Sequence, residues 1–169
     1  MSPSSLIAAI IPVFSGLLGV ALSNLPISLT AGAVPAPLLA FMAVYFWSLV
    51  RPDLMPPAGV FLIGLTQDVL AGGPPGLWTA SFLAAYALLD RQREAFASLA
   101  GVGALLGFAL VAFFSCATAY VIACVYFYRA PPMMPLLLQL AATVLCYILV
   151  LPLLNGIQHR LIGPLRSEF

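Results

Sequence analysis

Apolar runs separated by short clusters of Gly, Pro, Asn and Arg extend along almost the whole chain. A membrane-crossing helix needs about 20 mostly apolar residues, with a range of about 17–25. The runs at 6–22, 34–50, 57–71, 76–89, 99–127 and 136–157 therefore predict six transmembrane helices. The connections are short, and no segment is polar enough for a separate soluble domain. The expected architecture is all-α: one polytopic helix bundle over 1–169. The first run is too long for a signal-peptide core and lacks a basic segment before it, so it reads as a retained membrane helix.

Small residues spaced by four predict where helices approach closely, because lipid offers no hydrophobic reason for them to associate. Ser15, Gly19 and Ser23 form one such row. Gly103 and Gly107 form another, continued by Ser115, Ala119 and Ala123. These rows are expected to be seams within one chain. In the last run Gln139, Thr143 and Tyr147 make a polar stripe that should face the bundle. Such a stripe serves either internal hydrogen bonds or contact with a ligand or partner.

Composition decides the solvent. Hydrophobic residues make up 63% of the chain and charged residues 7%, against about 25% charged in a soluble domain. Too few charges exist to cover a water-facing surface. The net charge is +1, all six basic residues are Arg, and there is no basic run, which argues against nucleic acid as a partner. Cys116, Cys124 and Cys146 form no Cys-x-x-Cys pair and lie within apolar runs, so they read as small buried residues.

Charge also sets orientation. With six crossings, Arg51, Arg91, Arg93, Arg160 and Arg166 share one side with both termini, and Arg129 falls on the other. Arg-rich connections stay in the cytoplasm, so both ends are expected there. The loops at 24–33, 71–76 and 129–135 then face outward. Trp78, Tyr126, Phe127 and Tyr128 border those loops. They read either as an interfacial aromatic belt or as anchors for a partner.

The residues for catalysis are few. There is no HExxH, GxSxG or Walker-type loop. The single histidine, His159, sits at the predicted cytoplasmic border. Four of the five acids, Asp53, Asp90, Glu94 and Glu168, flank runs or lie in a tail. No nucleophile with its base can be assembled, so no catalytic residue, metal site or cofactor is expected. Asp68 is the exception among the acids: it lies in the apolar run 57–71, just before the turn Gly72-Gly73-Pro74-Pro75-Gly76. That run gives about 22 Å of helix, short of a ~30 Å hydrocarbon core. Asp68 and its turn are thus expected below the membrane surface, where irregular backbone is tolerated only inside protein or along a wet cavity. A carboxylate at a helix C-terminus opposes the macrodipole and needs compensation. The candidates are the N–H groups of Gly72 and Gly73, or Arg129.

The stretch Arg51-Pro52-Asp53, followed by Phe61-x-x-Gly64-Leu65-x-x-Asp68, the glycine loop from Gly72 to Gly76, and Tyr86 resembles the rod shape-determining protein MreD family. The specific part of the resemblance covers 52–86, and the remainder matches in hydropathy. The resemblance implies a non-enzymatic subunit of the bacterial inner (cytoplasmic) membrane, in the elongation machinery that builds peptidoglycan. Its implied partners are a bitopic MreC-like protein and, beyond it, MreB, RodA and the elongation transpeptidase. The plan is also similar to the substrate-binding subunits of energy-coupling-factor vitamin transporters, which keeps a solute-binding reading open. A handler of lipid-linked precursors is a third reading, and it would want more outward cations than Arg129.

Overall fold

The computed structural model describes residues 3–25, 35–99, 101–158 and 160, with side chains from Ile10 onward. All regular structure among them is helical: α1 (Pro3–Ser23), α2 (Leu39–Val50), a 3₁₀ turn (Pro52–Leu54), α3 (Pro57–Ala71), α4 (Leu77–Arg91), α5 (Arg93–Ala97), α6 (Val102–Phe127) and α7 (Met133–Ile157). Two of these, α6 and α7, are long and apolar enough to cross a membrane, and α2 and α3 are shorter apolar helices. Residues 26–33 of the first expected loop, and with them most of that loop, lie outside the described residues. So do His159, Arg166 and Glu168.

The expected runs and the observed helices agree best where Pro or Gly punctuates the chain. The run 57–71 is α3 with the same bounds: Pro57 begins it, where a missing N–H is harmless. Gly72, left-handed at φ 64°, ends it. The run 34–50 is corrected at its start. Residues 35–38 carry no regular structure, and α2 begins only at Leu39, because Pro35 and Pro37 hold no N–H and disfavour helix in the residue before each. The run 99–127 is also corrected. The break at Gly101 (φ 56°) separates α6 from the one-turn α5.

The central helix is α2. Every residue from Ala40 to Ser48 is buried, and around it stand α1, α4 and α7. Close approaches follow the small residues. A Cβ on Gly19 would lie 2.8 Å from the backbone nitrogen of Ala40. Gly16 leaves room for Ile63 of α3, and Gly59 for Val13 of α1. Ser81 of α4 donates to the carbonyl of Ser115 on α6 at 2.6 Å. An aromatic cluster joins the layers: Phe41 meets Phe82, Tyr45 meets Phe108 edge-on, and Tyr147 stacks on Phe108 at 3.8 Å. The Gly103/Gly107 face packs against residues of the same chain. Leu99 lies against both glycines, and Phe96 and Tyr45 also abut Gly107.

These contacts fix relative depth. Thr143 is level with Leu38, to whose N–H it is bonded. That is ten residues into α7, so α2 starts about 15 Å below the tip of α7. Ser81 is level with Ser115, and the antiparallel run puts the start of α4 about 12 Å below the tip of α6. The short helices α2 and α4 therefore begin deep, between the protruding ends of the two long ones.

Candidate functional site: the sunken helix starts and their recess

A helix begins with N–H groups that have no partner inside the helix. Neither α2 nor α4 carries a side-chain cap of its own, since Leu38 and Gly76 stand at the cap positions. Both starts are satisfied by side chains from neighbouring helices.

For α4 the acceptor is Asp68. Its Oδ2 accepts from the N–H of Gly76 (2.9 Å), the N–H of Thr79 (3.1 Å) and the Thr79 hydroxyl (2.6 Å). Its Oδ1 accepts from the N–H of Trp78 at 2.7 Å. Asp68 is 3% exposed. The expected partners are thus corrected. Gly72 and Gly73 do not hold the carboxylate, and exposed Arg129 makes no ion pair with it; the only ion pair among the described residues is Arg51–Asp53. Asp68 does stand at the unfavourable end of α3, but it also stands at the favourable, positive end of α4. Four donors converge on an acceptor-only group, which resolves the compensation problem.

Two glycines make this possible. Gly64, one turn before Asp68, faces the backbone of Thr79 so closely that a Cβ would lie 2.6 Å from its Cα. That approach brings the Thr79 N–H within reach of the carboxylate. Gly76 adopts φ 92°, a region that L side chains rarely enter, and so turns its N–H back toward Asp68. Gly72 closes α3 in the same left-handed way.

For α2 the acceptors are Thr143 of α7 and Ser23 of α1. Thr143 Oγ1 accepts from the N–H of Leu38 at 3.0 Å while donating to the Gln139 carbonyl. Ser23 Oγ accepts from the N–H of Leu39 at 3.3 Å and donates to the Pro37 carbonyl at 2.9 Å. Gln139 donates to the Ala36 carbonyl at 3.1 Å. Two members of the polar stripe of α7 are therefore engaged in internal hydrogen bonds, and Tyr147 belongs to the aromatic cluster.

Between the tips of α6 and α7 and the two sunken starts lies a recess of about 340 Å³, lined in part by Pro35, Pro74, Trp78, Tyr120 and Gln139. Trp78 is half-buried there and packs near Phe82. Among the polar side chains that line the recess, Tyr120 donates to the Pro131 carbonyl at 3.3 Å, and the Gln139 amide nitrogen to the Ala36 carbonyl. Tyr128 stands apart, 95% exposed with φ 51° at the end of α6. Arg129 follows it at the rim of a neighbouring cavity. Buried Gln67, next to Asp68, has a side-chain oxygen with no hydrogen-bond partner among the described residues.

At the opposite end, Arg51 holds Asp53 through two bonds of 3.1 and 2.9 Å. The hydrogen bond to Arg51 lowers the carboxyl pKa below its ordinary value, with partial burial opposing. Sequence reasoning missed Thr79; it placed Thr143 in the stripe facing the bundle, with internal hydrogen bonds as one reading, but did not foresee its bond to the start of α2. The usable signal was that α2 and α4 begin without a Ser, Thr, Asp or Asn cap. Compared with protein-family models, curated proteins and solved structures, the chain gives no match.

Proposed function

We propose that this chain is a six-span, non-enzymatic subunit of the bacterial inner membrane that scaffolds or regulates peptidoglycan synthesis in the cell-elongation complex through an MreC-like bitopic partner. The observation that carries this reading is the use of the acid. Both oxygens of Asp68, the one acid within an apolar run, are committed to holding α4. The MreD-like residues Gly64, Asp68, Gly72 and Gly76 thus act as one architectural unit, the α3–α4 hairpin, rather than as a set poised for chemistry. In the proposed topology both termini are cytoplasmic, in keeping with the Arg bias. The hairpin turn, Tyr128 and Arg129 then face outward, toward the periplasmic part of a bitopic protein.

The alternative is a solute-binding subunit of an energy-coupling-factor-like transporter, and the outward recess is what favours it. Such a site needs a few convergent polar groups free to orient a ligand. Here Tyr120 and Gln139 are already engaged by backbone carbonyls, which weakens that reading. The deciding experiment is depletion of the chain in its host. Rounded cells with normal solute uptake are expected, whereas unchanged rods with a lost uptake activity would overturn the proposal.

A further inference from the structure

Three cavities adjoin one another along α6 and α7. At the tip, a cavity is bordered by Phe127, Arg129 and Pro131. It shares Pro131 and Pro132 with the recess below. The recess in turn shares Tyr120 and Leu136 with a wholly apolar groove of about 200 Å³ between the two helices, lined by Phe113, Cys116, Ala117 and Leu140 among others. The sequence of environments is one cation, then a mixed mouth, then hydrocarbon.

We infer that this path binds one anionic phospholipid of the outer leaflet, with its phosphate at Arg129 and an acyl chain laid through the recess into the α6–α7 groove. The inference rests on the membrane reading above, and not on the identity of the protein partner. Three observations select this occupant. The first is size: a cavity of about 150 Å³ takes a benzene-sized hydrocarbon, so a groove of about 200 Å³ takes a stretch of alkyl chain. A partner helix of about 10–12 Å diameter does not enter it. The second is depth. From the tip at Phe127 to Phe113 is about 21 Å along α6, which covers one leaflet of a ~30 Å core together with part of its headgroup zone. The third is charge. Arg129 is exposed, and no acid pairs with it among the described residues. One guanidinium balances one phosphodiester, whereas a diphosphate-linked carrier would leave surplus negative charge.

The test uses the full chain purified in mild detergent and read by native mass spectrometry. Dioleoylphosphatidylglycerol and dioleoylphosphatidylethanolamine are offered in competition. A preference of roughly fivefold for the anionic lipid is expected, the contribution of one Arg near an anionic headgroup layer. Arg129→Gln should equalise the two lipids, and Arg129→Lys should keep the preference. Ala117→Phe, or the milder Ala117→Leu, should reduce retention of both by filling the groove. An unchanged preference in Arg129→Gln, undiminished retention in both Ala117 variants, or tighter binding of a polyprenyl diphosphate would each overturn the proposal. A chain released from membranes by carbonate wash would sink the membrane reading itself. A membrane-embedded chain without headgroup preference would sink only this inference.

Discussion

Replacing Asp68 by Ala removes four hydrogen bonds at once and leaves their donors behind. A buried donor left without an acceptor costs about 1–3 kcal/mol. The Thr79 N–H is fully buried and falls in that range. The Gly76 and Trp78 N–H groups are part-buried, and each adds about 1 kcal/mol, while the Thr79 hydroxyl can rotate to another acceptor. The loss comes to about 3–5 kcal/mol, comparable with breaking a buried charged pair. At about 2–4 °C per kcal/mol for a chain of this size, the melting temperature in detergent should fall by about 6–20 °C. Asp68→Asn keeps one acceptor oxygen but turns an NH₂ toward a donor, and should lose about half as much. In a double-mutant cycle, Asp68→Ala and Thr79→Val should couple by about 1–3 kcal/mol, because they share a bond. Asp68→Ala and Arg129→Ala should be additive. A melting temperature within about 2 °C of the wild type for Asp68→Ala, or coupling to Arg129 instead of Thr79, would refute the capping account.

Gly64→Ala forces a methyl against the Thr79 backbone and should cost about 1–3 kcal/mol; its loss should be less than additive with Asp68→Ala in the same melting assay, since both act on one hairpin. Gln67→Met removes the unpaired buried oxygen with little change in volume, and should raise stability by about 1 kcal/mol in the same assay. The Arg51 bond depresses the Asp53 pKa, so its contribution is complete above the unfolded carboxyl value of about 3.9 and is lost as pH falls through the lower folded value. Melting curves of wild type and Asp53→Asn should therefore converge below about pH 4, by a small amount because the pair is exposed.

The helices were legible wherever the chain is punctuated by residues that constrain the backbone. Pro57 and Gly72 bounded α3 without any tertiary information. Hydropathy failed at 35–38 because Pro35, Ala36, Pro37 and Leu38 count as apolar or neutral while the prolines forbid the ladder that a helix needs. Asp68 stood out because it is the one acid inside an apolar run. Its partners did not, because they lie eight to eleven residues onward across a hairpin whose register depends on how closely Gly64 lets Thr79 approach. The role of Thr143 was harder still: Leu38 is 105 residues away, and only the assembled bundle brings α7 alongside the start of α2. α6 starts later than the run 99–127 because Gly101, neutral in hydropathy, takes φ 56°, and Phe96 and Leu99 fold back onto the Gly107 face.

The most direct measurement of the functional claim is affinity capture of the full chain from its own membranes in mild detergent, with the bound proteins identified. The proposal predicts a stoichiometric partner with one membrane helix and a periplasmic domain. Trp78→Ala and Tyr128→Ala should insert normally, and the exposed Tyr128 should contribute more to capture than the half-buried Trp78. Recovery of a pair of cytoplasmic ATPases in place of the bitopic protein would contradict the account and restore the transporter reading.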